Sequence, residues 1–189
     1  MAKKAQSTII NMFLSLTIIA VVAAAVLAFV SGVTEEPIAQ AEAQKTADAL
    51  KQVSPKYATA SEADTVEGCP CIAVFAKDGS LVGMAVTATS NGFGGPLGIM
   101  FGFTPEGDIN GYKVINTKET PGLGAKADTW FQNAEKGVIG KNPATANMTV
   151  SKDGGEVDAI TGSTITSRAF CDAIAIAYKA FESKKGGLQ

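Results

Sequence analysis

Histidine is absent from all 189 residues. That rules out Ser-His and Cys-His nucleophile pairs, and with them the ordinary triad hydrolases. A Ser-Lys or threonine nucleophile would depend on folding, because no lysine lies near Ser163 or Thr164 in the sequence. Three cysteines, Cys69, Cys71 and Cys171, make neither a closed disulfide framework nor a four-thiolate metal site. No metal is expected. A disulfide from Cys69 or Cys71 to Cys171 is compatible with an oxidising space, but buried free thiols at the start of a strand are the expectation. Charge of one sign is lacking as well: the net charge is -2 and the sequence pI about 5.2. Nucleic acid would call for a basic stripe, so no nucleic-acid partner is expected. Lys184 and Lys185 read as a solvated helix terminus. Internal repeats and low-complexity blocks are also missing.

What the chain does have is one long apolar run. Residues 9–30 carry no charge and are interrupted mildly by Asn11, Ser15 and Thr17. At about 1.5 Å per residue this run crosses a hydrocarbon core of about 30 Å, whereas the apolar part of a cleaved signal peptide spans only about 7–15 residues. An uncleaved single-pass anchor is therefore expected. Lys3 and Lys4 precede the run, while Glu35 and Glu36 follow it. The positive-inside rule then puts residues 1–8 in the cytoplasm and everything after Val33 outside it, in a bacterium on the periplasmic or outer side of the inner membrane.

Beyond the transmembrane helix (9–30), residues 31–53 read as a linker and a polar, alanine-rich helix from Ile38, with Pro37 before it and Pro55 after it. Residues 54–189 are enough for a single core. Strands are expected at 72–76 and 81–89 around Lys77-Asp78-Gly79-Ser80, and at 99–104 and 109–116 around Pro105-Glu106-Gly107-Asp108. A helix over 128–136 would bring Trp130 and Phe131 into the core. The spacing of Phe170, Ala173, Ile174, Ala177 and Phe181 predicts an amphipathic helix running to about Lys179. The fold class is α+β, helices packed on a mostly antiparallel sheet.

Three segments hold the candidate chemistry. Asp158-Ala159-Ile160-Thr161-Gly162-Ser163-Thr164 leads into the last helix, whose first turn would hold Ser163, Thr164 and Thr166. A helix N-terminus offers unpaired N–H groups and the positive end of its dipole, which together favour a phosphate, and Gly162 allows a close backbone approach. Taken alone, Thr-Gly-Ser-Thr before a helix is also an ordinary turn and N-cap. The other two segments, residues 91–98 and 119–124, are glycine-rich, and either alone reads as turn chemistry. Together they suit a flat ring lying against peptide planes, which needs positions without side chains.

The match of all three segments is more specific. D-A-I-T-G-S-T at 158–164, Glu119-Thr120-Pro121-Gly122-Leu123-Gly124, and Gly92-Phe93-Gly94-Gly95-Pro96 resemble the motifs of FMN-binding domains in the G subunit of the Rnf complex and the C subunit of the sodium-pumping NADH:quinone reductase. Phe93 stands in place of tyrosine, and Ser163 where alanine is more usual. The resemblance spans about residues 50–182 and, with the anchor, nearly the whole chain.

The resemblance implies FMN held covalently, as a phosphoester on Thr164, by an electron-transfer subunit of an Rnf-type ferredoxin:NAD oxidoreductase coupled to ion translocation. It also implies other membrane and peripheral subunits as partners and a flavin transferase for maturation. Thr161, Ser163 and Thr166 are the alternative hydroxyls. Around the ring, Leu123 would cover one face, Thr120 would bond the polar edge, and Gly122, Gly94 and Gly95 would give clearance. Glu119 would either face the flavin or cap its loop by accepting N–H bonds. Asp158, too close in sequence to a phosphate to face it without repulsion, is expected to organise the turn or to be read by the transferase. No residue is assigned a catalytic role. The C subunit of the quinone reductase is the alternative within redox chemistry, and its family tends to be longer. A flavin-free, membrane-anchored assembly module is the alternative outside it.

Overall fold

The computed structural model describes residues 8–54, 57–132 and 137–186. The chain forms two compact units, Met1–Gln44 and Lys45–Gln189.

From Ile9 onward the first unit belongs to helix α1 (Ile9–Val53), which has Pro37 inside it and a mean hydropathy of 2.8 over its most apolar window. Among the described residues this is the one helix long and apolar enough to cross a membrane. Its polar side chains are reconciled with that composition locally. Ser15 Oγ donates to Asn11 O at 2.7 Å and Thr17 Oγ1 to Phe13 O at 2.9 Å, so neither hydroxyl is left without a partner in an apolar setting. The expected interruption at 31–37 is absent: the helix runs through Pro37, lacking one backbone bond there. Lys3, Lys4 and Pro55 lie outside the described residues.

The second unit is built on six strands: β1 (Thr59–Ala60), β2 (Asp64–Val66), β3 (Cys69–Phe75), β4 (Leu81–Asn91), β5 (Pro96–Phe103) and β6 (Ile109–Asn116). They pair in the order β1-β3-β4-β5-β6, with β2 also on β3, and every pairing is antiparallel. The two expected hairpins form. In the first, Ser80 donates through its N–H and its hydroxyl to Asp78 Oδ1, at 3.0 and 2.6 Å, and these bonds hold the Asp78 carboxyl below the usual carboxylate range. A third hairpin joins β4 to β5. Segment 91–98 is not one long loop, because Asn91 pairs with Pro96, Ser90 with Leu97 and Thr89 with Gly98, leaving only residues 92–95 at the tip. Pro96 is tolerated as the first residue of its strand, where the missing N–H is least costly.

Alternation along β5 places Leu97, Ile99, Phe101 and Phe103 on one face, in the main core with Met84, Val86 and Ala88 of β4. Helix α3 (Thr164–Gly186) covers that face and continues one to two turns beyond the expected Lys179. Phe170 is its anchor, stacked on Phe131 at 4.1 Å and edge-on to Tyr112 and Phe101 at 4.8 and 5.6 Å. The opposite face carries Val74, Ala85 and Met100 beneath Ala49, Leu50 and Val53 of α1. The α1 end sits close enough that a Cβ on Gly102 would collide with the Val53 carbonyl oxygen. Asn110 Nδ2 donates to that same oxygen at 3.0 Å, satisfying a carbonyl the helix leaves open. The unit is thus α+β, a sheet covered by helix on both faces.

Between β6 and α3 lie a 3-10 turn (Gly124–Lys126), the short α2 (Ala127–Trp130) and a second 3-10 turn (Ser151–Asp153). The helix expected at 128–136 reduces to α2, with Phe131 and Gln132 in a turn, and 133–136 outside the described residues. Phe131 is fully buried as expected. Trp130 is not: it is 41% exposed, and its indole N–H donates to the Asp158 carbonyl at 3.0 Å.

Cys69, Cys71 and Cys171 are all free and buried. Burial raises all three thiols, Cys171 to about 12. At pH 8 the folded chain should therefore resist iodoacetamide and, once denatured without reductant, take up three labels. Mass spectrometry showing rapid labelling of the native chain, or fewer than three labels after unfolding, would contradict this arrangement.

Candidate functional site

The tip of the β4–β5 hairpin, the loop after β6 and the start of α3 converge on one buried carboxylate. Glu119 Oε1 accepts the Gly94 N–H at 3.2 Å, and Oε2 accepts the Thr166 hydroxyl at 2.9 Å. Glu119 and Thr166 are both buried. Glu119 thus accepts one backbone N–H, from the hairpin tip and not from its own loop, and it also lines the cleft described next. The glycines on either side serve this carboxylate. A Cβ on Gly92 would collide with Oε1, and one on Gly124 with Oε2. At these positions glycine makes room for Glu119, where the sequence alone suggests room for a flat ring.

Above this floor opens a cleft of about 490 Å³, within the range of small-molecule sites. Its rim is apolar: Phe93 is 71% exposed, and Leu123 and Ile165 are also largely solvent-facing. Polar groups gather at the α3 end, where Gly162, Ser163, Thr164 and Lys152 line the wall. The turn into the helix is held from inside. Ser163 N–H donates to Ile160 O at 2.9 Å, and Gly162 takes the left-handed conformation (φ 79°) that this turn requires. The fully buried Ser167 hydroxyl accepts the Ile160 N–H and donates to Ser163 O, each at 2.9 Å.

The expected site residues divide into three groups. Glu119, Thr120, Leu123, Gly162, Ser163 and Thr164 line the cleft. Gly94 supplies an N–H to Glu119, and Gly95 closes the hairpin tip by accepting the Gly92 N–H at 2.9 Å. Thr161 and Gly122 lie in turns away from the lining. Asp158 is half-buried and outside the lining, with the Ser151 hydroxyl 3.4 Å from its Oδ1.

Lys152 is the residue sequence reasoning missed. Its Nζ donates to Thr164 Oγ1 at 3.2 Å. It reaches there from the turn Ser151–Asp153, strapped to α3 by Arg168, whose Nε and Nη2 grip both Asp153 oxygens at 2.7 and 2.8 Å. That guanidinium holds the Asp153 carboxyl below its usual range, so the fork persists above the ordinary carboxylate pKa and is lost as pH falls through the depressed one. Twelve positions separate Lys152 from Thr164, and no local periodicity links them.

Comparison with known proteins gives the family. Residues 92–179 match the FMN-binding domain, and residues 1–53 match the RnfG N-terminal region. The G subunit of the ion-translocating oxidoreductase complex of Cereibacter sphaeroides is 32% identical over 174 residues, 85% of this chain and 78% of that protein. The chain belongs to the RnfG family. Another member, the G subunit of the Na(+)-translocating ferredoxin:NAD(+) oxidoreductase complex of Acetobacterium woodii, is 31% identical over 90% of each chain. Among solved structures, NqrC of Shewanella oneidensis is similar at 18% identity over 73% of each chain, with a TM-score of 0.48.

As an FMN-binding domain, this RnfG-family cleft has the donor set the cofactor needs. Its apolar rim would suit a tricyclic ring, and a hydroxyl, a cation and a helix N-terminus would suit a phosphate. The rim and the floor meet through Glu119. Replacing Glu119 by Ala leaves the Gly94 N–H and Thr166 O–H unpaired in a buried place and should cost about 1–3 kcal/mol. In urea denaturation, a double-mutant cycle with Thr166→Val should give a coupling of roughly 0.5–3 kcal/mol. Additive effects would show that the bond does not hold the segments together.

Proposed function

We propose that this chain is the flavin-carrying, electron-transfer subunit of an Rnf-type ferredoxin:NAD oxidoreductase complex coupled to ion translocation, with FMN attached as a phosphoester to Thr164. Support for the complex comes from the relatives, which are named as G subunits of ion-translocating assemblies. The observation that carries the attachment is the placement of the motif's hydroxyls. Thr166 is buried and already donates to Glu119, Ser163 reaches the cleft but is buried in the turn, and Thr161 is exposed outside the cleft lining. Thr164 is partly exposed and opens on the cleft.

Attachment adds FMN less one water: an Oγ1–P bond forms and the Thr164 hydroxyl proton leaves. A flavin transferase brings the activated flavin nucleotide, whose bond from the same phosphorus to its phosphate leaving group breaks as the new one forms, and the leaving group departs with the proton released to solvent. When bound, FMN supplies reversible electron acceptance and donation. The chain's own task is placement. Phe93, Leu123 and Ile165 shield the ring from water, and the Glu119 clamp fixes the rim relative to the attachment point.

The apolar part of α1 spans the inner membrane once, with Lys3 and Lys4 inside and the FMN domain on the periplasmic or outer side. A tether has a physical purpose there, because an ester does not depend on the free cofactor concentration. Electrons enter and leave through other subunits of the complex, which makes this chain a relay without a full turnover of its own.

On a denaturing gel, the natively expressed chain should fluoresce as a flavin. Thr164→Val should give a dark band while costing no more than about 0.5–1 kcal/mol of stability, since the residue is half-exposed. A band that stays fluorescent in this variant would move the attachment to another hydroxyl.

A further inference from the structure

The cleft is lined by one acidic and one basic side chain, and they are not equally engaged. Both Glu119 oxygens accept hydrogen bonds from within the fold. Arg168, the other cation near α3's first turns, faces Asp153 through two nitrogens and is not free to turn toward a ligand. Lys152 is exposed, and its ammonium, with three donors on a flexible stem, rests on the hydroxyl of Thr164.

We infer that Lys152 is the phosphate-pairing residue of this site, set in position by the Arg168–Asp153 fork. This rests on the reading of Thr164 as the attachment point. The phosphorus of an ester on Thr164 is one bond from Oγ1, so its charged oxygens fall within reach of the ammonium that already donates to that atom. Lys152 and Glu119 together leave the cleft formally neutral. A singly charged phosphodiester then gives it one negative charge, against two if Lys152 were neutral. The positive end of α3 acts in the same direction. The ring has no comparable need of this lysine, so Lys152 separates phosphorylated from unphosphorylated flavin while leaving ring recognition to the apolar rim. The adjacent Asp153 does not cancel the lysine, because its carboxylate is held by Arg168.

The test uses the full-length chain expressed without flavin transferase, purified in detergent and titrated with FMN and, separately, with riboflavin, following flavin fluorescence. The wild type should bind FMN about tenfold more tightly than riboflavin, the order expected of one charge-assisted hydrogen bond. Lys152→Gln should lose that preference with its riboflavin affinity unchanged, and Lys152→Arg should keep most of it. Asp153→Asn, which frees Arg168 and slackens the strap, should reduce the preference without touching riboflavin binding. Rising salt should narrow the gap in the wild type and leave Lys152→Gln unaffected. A wild type without a preference for FMN, an unchanged preference in Lys152→Gln, or FMN and riboflavin affinities falling together would overturn the assignment. Whether natively expressed chain carries FMN on Thr164 is read separately, by mass, so the attachment can stand or fall independently of Lys152.

Discussion

Glu119 is the constraint on which the site depends. A carboxylate this deeply buried is tolerated only if its oxygens are paired, and the two donors that pair it come from different parts of the chain. One is the backbone of the β4–β5 hairpin tip; the other is the first turn of α3. The bonds therefore fix, at once, where the exposed Phe93 stands and where Thr164 stands. Gly92 and Gly124 follow from the same constraint, since any side chain at either position would displace the carboxylate.

The rest of the domain serves to present those elements. Antiparallel pairing from β3 to β6 delivers the hairpin tip and the loop after β6 to one end of the sheet. Phe170 buries the beginning of α3 among Phe101, Tyr112 and Phe131. Tyr112 extends that anchoring, because its hydroxyl donates to Ala127 O and accepts the Phe131 N–H, tying the segment after the loop back to β6. Ser90, near the end of β4, donates to Ala169 O at 2.6 Å, so the strand leading to the tip is also bonded to the helix. A rigid scaffold of this kind suits a relay, in which a cofactor must keep a set distance from its partners.

Much of this is legible in the residues. Turn chemistry at Asp78-Gly79 and around Gly107 locates two hairpins, and the spacing from Phe170 to Phe181 locates the covering helix, because both signals are local. Where expectation and structure part, the cause lies in tertiary contacts. Segment 91–98 reads as one loop because glycine and proline dominate it, yet cross-strand bonds extend the sheet to within four residues of closure. The strands β1 and β2, two and three residues long and mostly exposed, carry no pattern of their own and exist through pairing with β3. The size of Trp130 argues for the core, but the Asp158 carbonyl holds its indole at the surface. Lys152 leaves no mark on the sequence, since its meeting with Thr164 depends on the ion pair between Asp153 and Arg168, which are 15 residues apart.

The central claim is a covalent bond between FMN and one side-chain oxygen, and peptide mapping of natively expressed chain tests it most directly. Cleavage after Lys152 and Arg168 releases residues 153–168, which hold Thr161, Ser163, Thr164 and Thr166. The account predicts that this fragment is heavier by FMN less one water, with fragmentation placing the added mass on Thr164. An unmodified fragment, with every other fragment also at its plain mass, would contradict it.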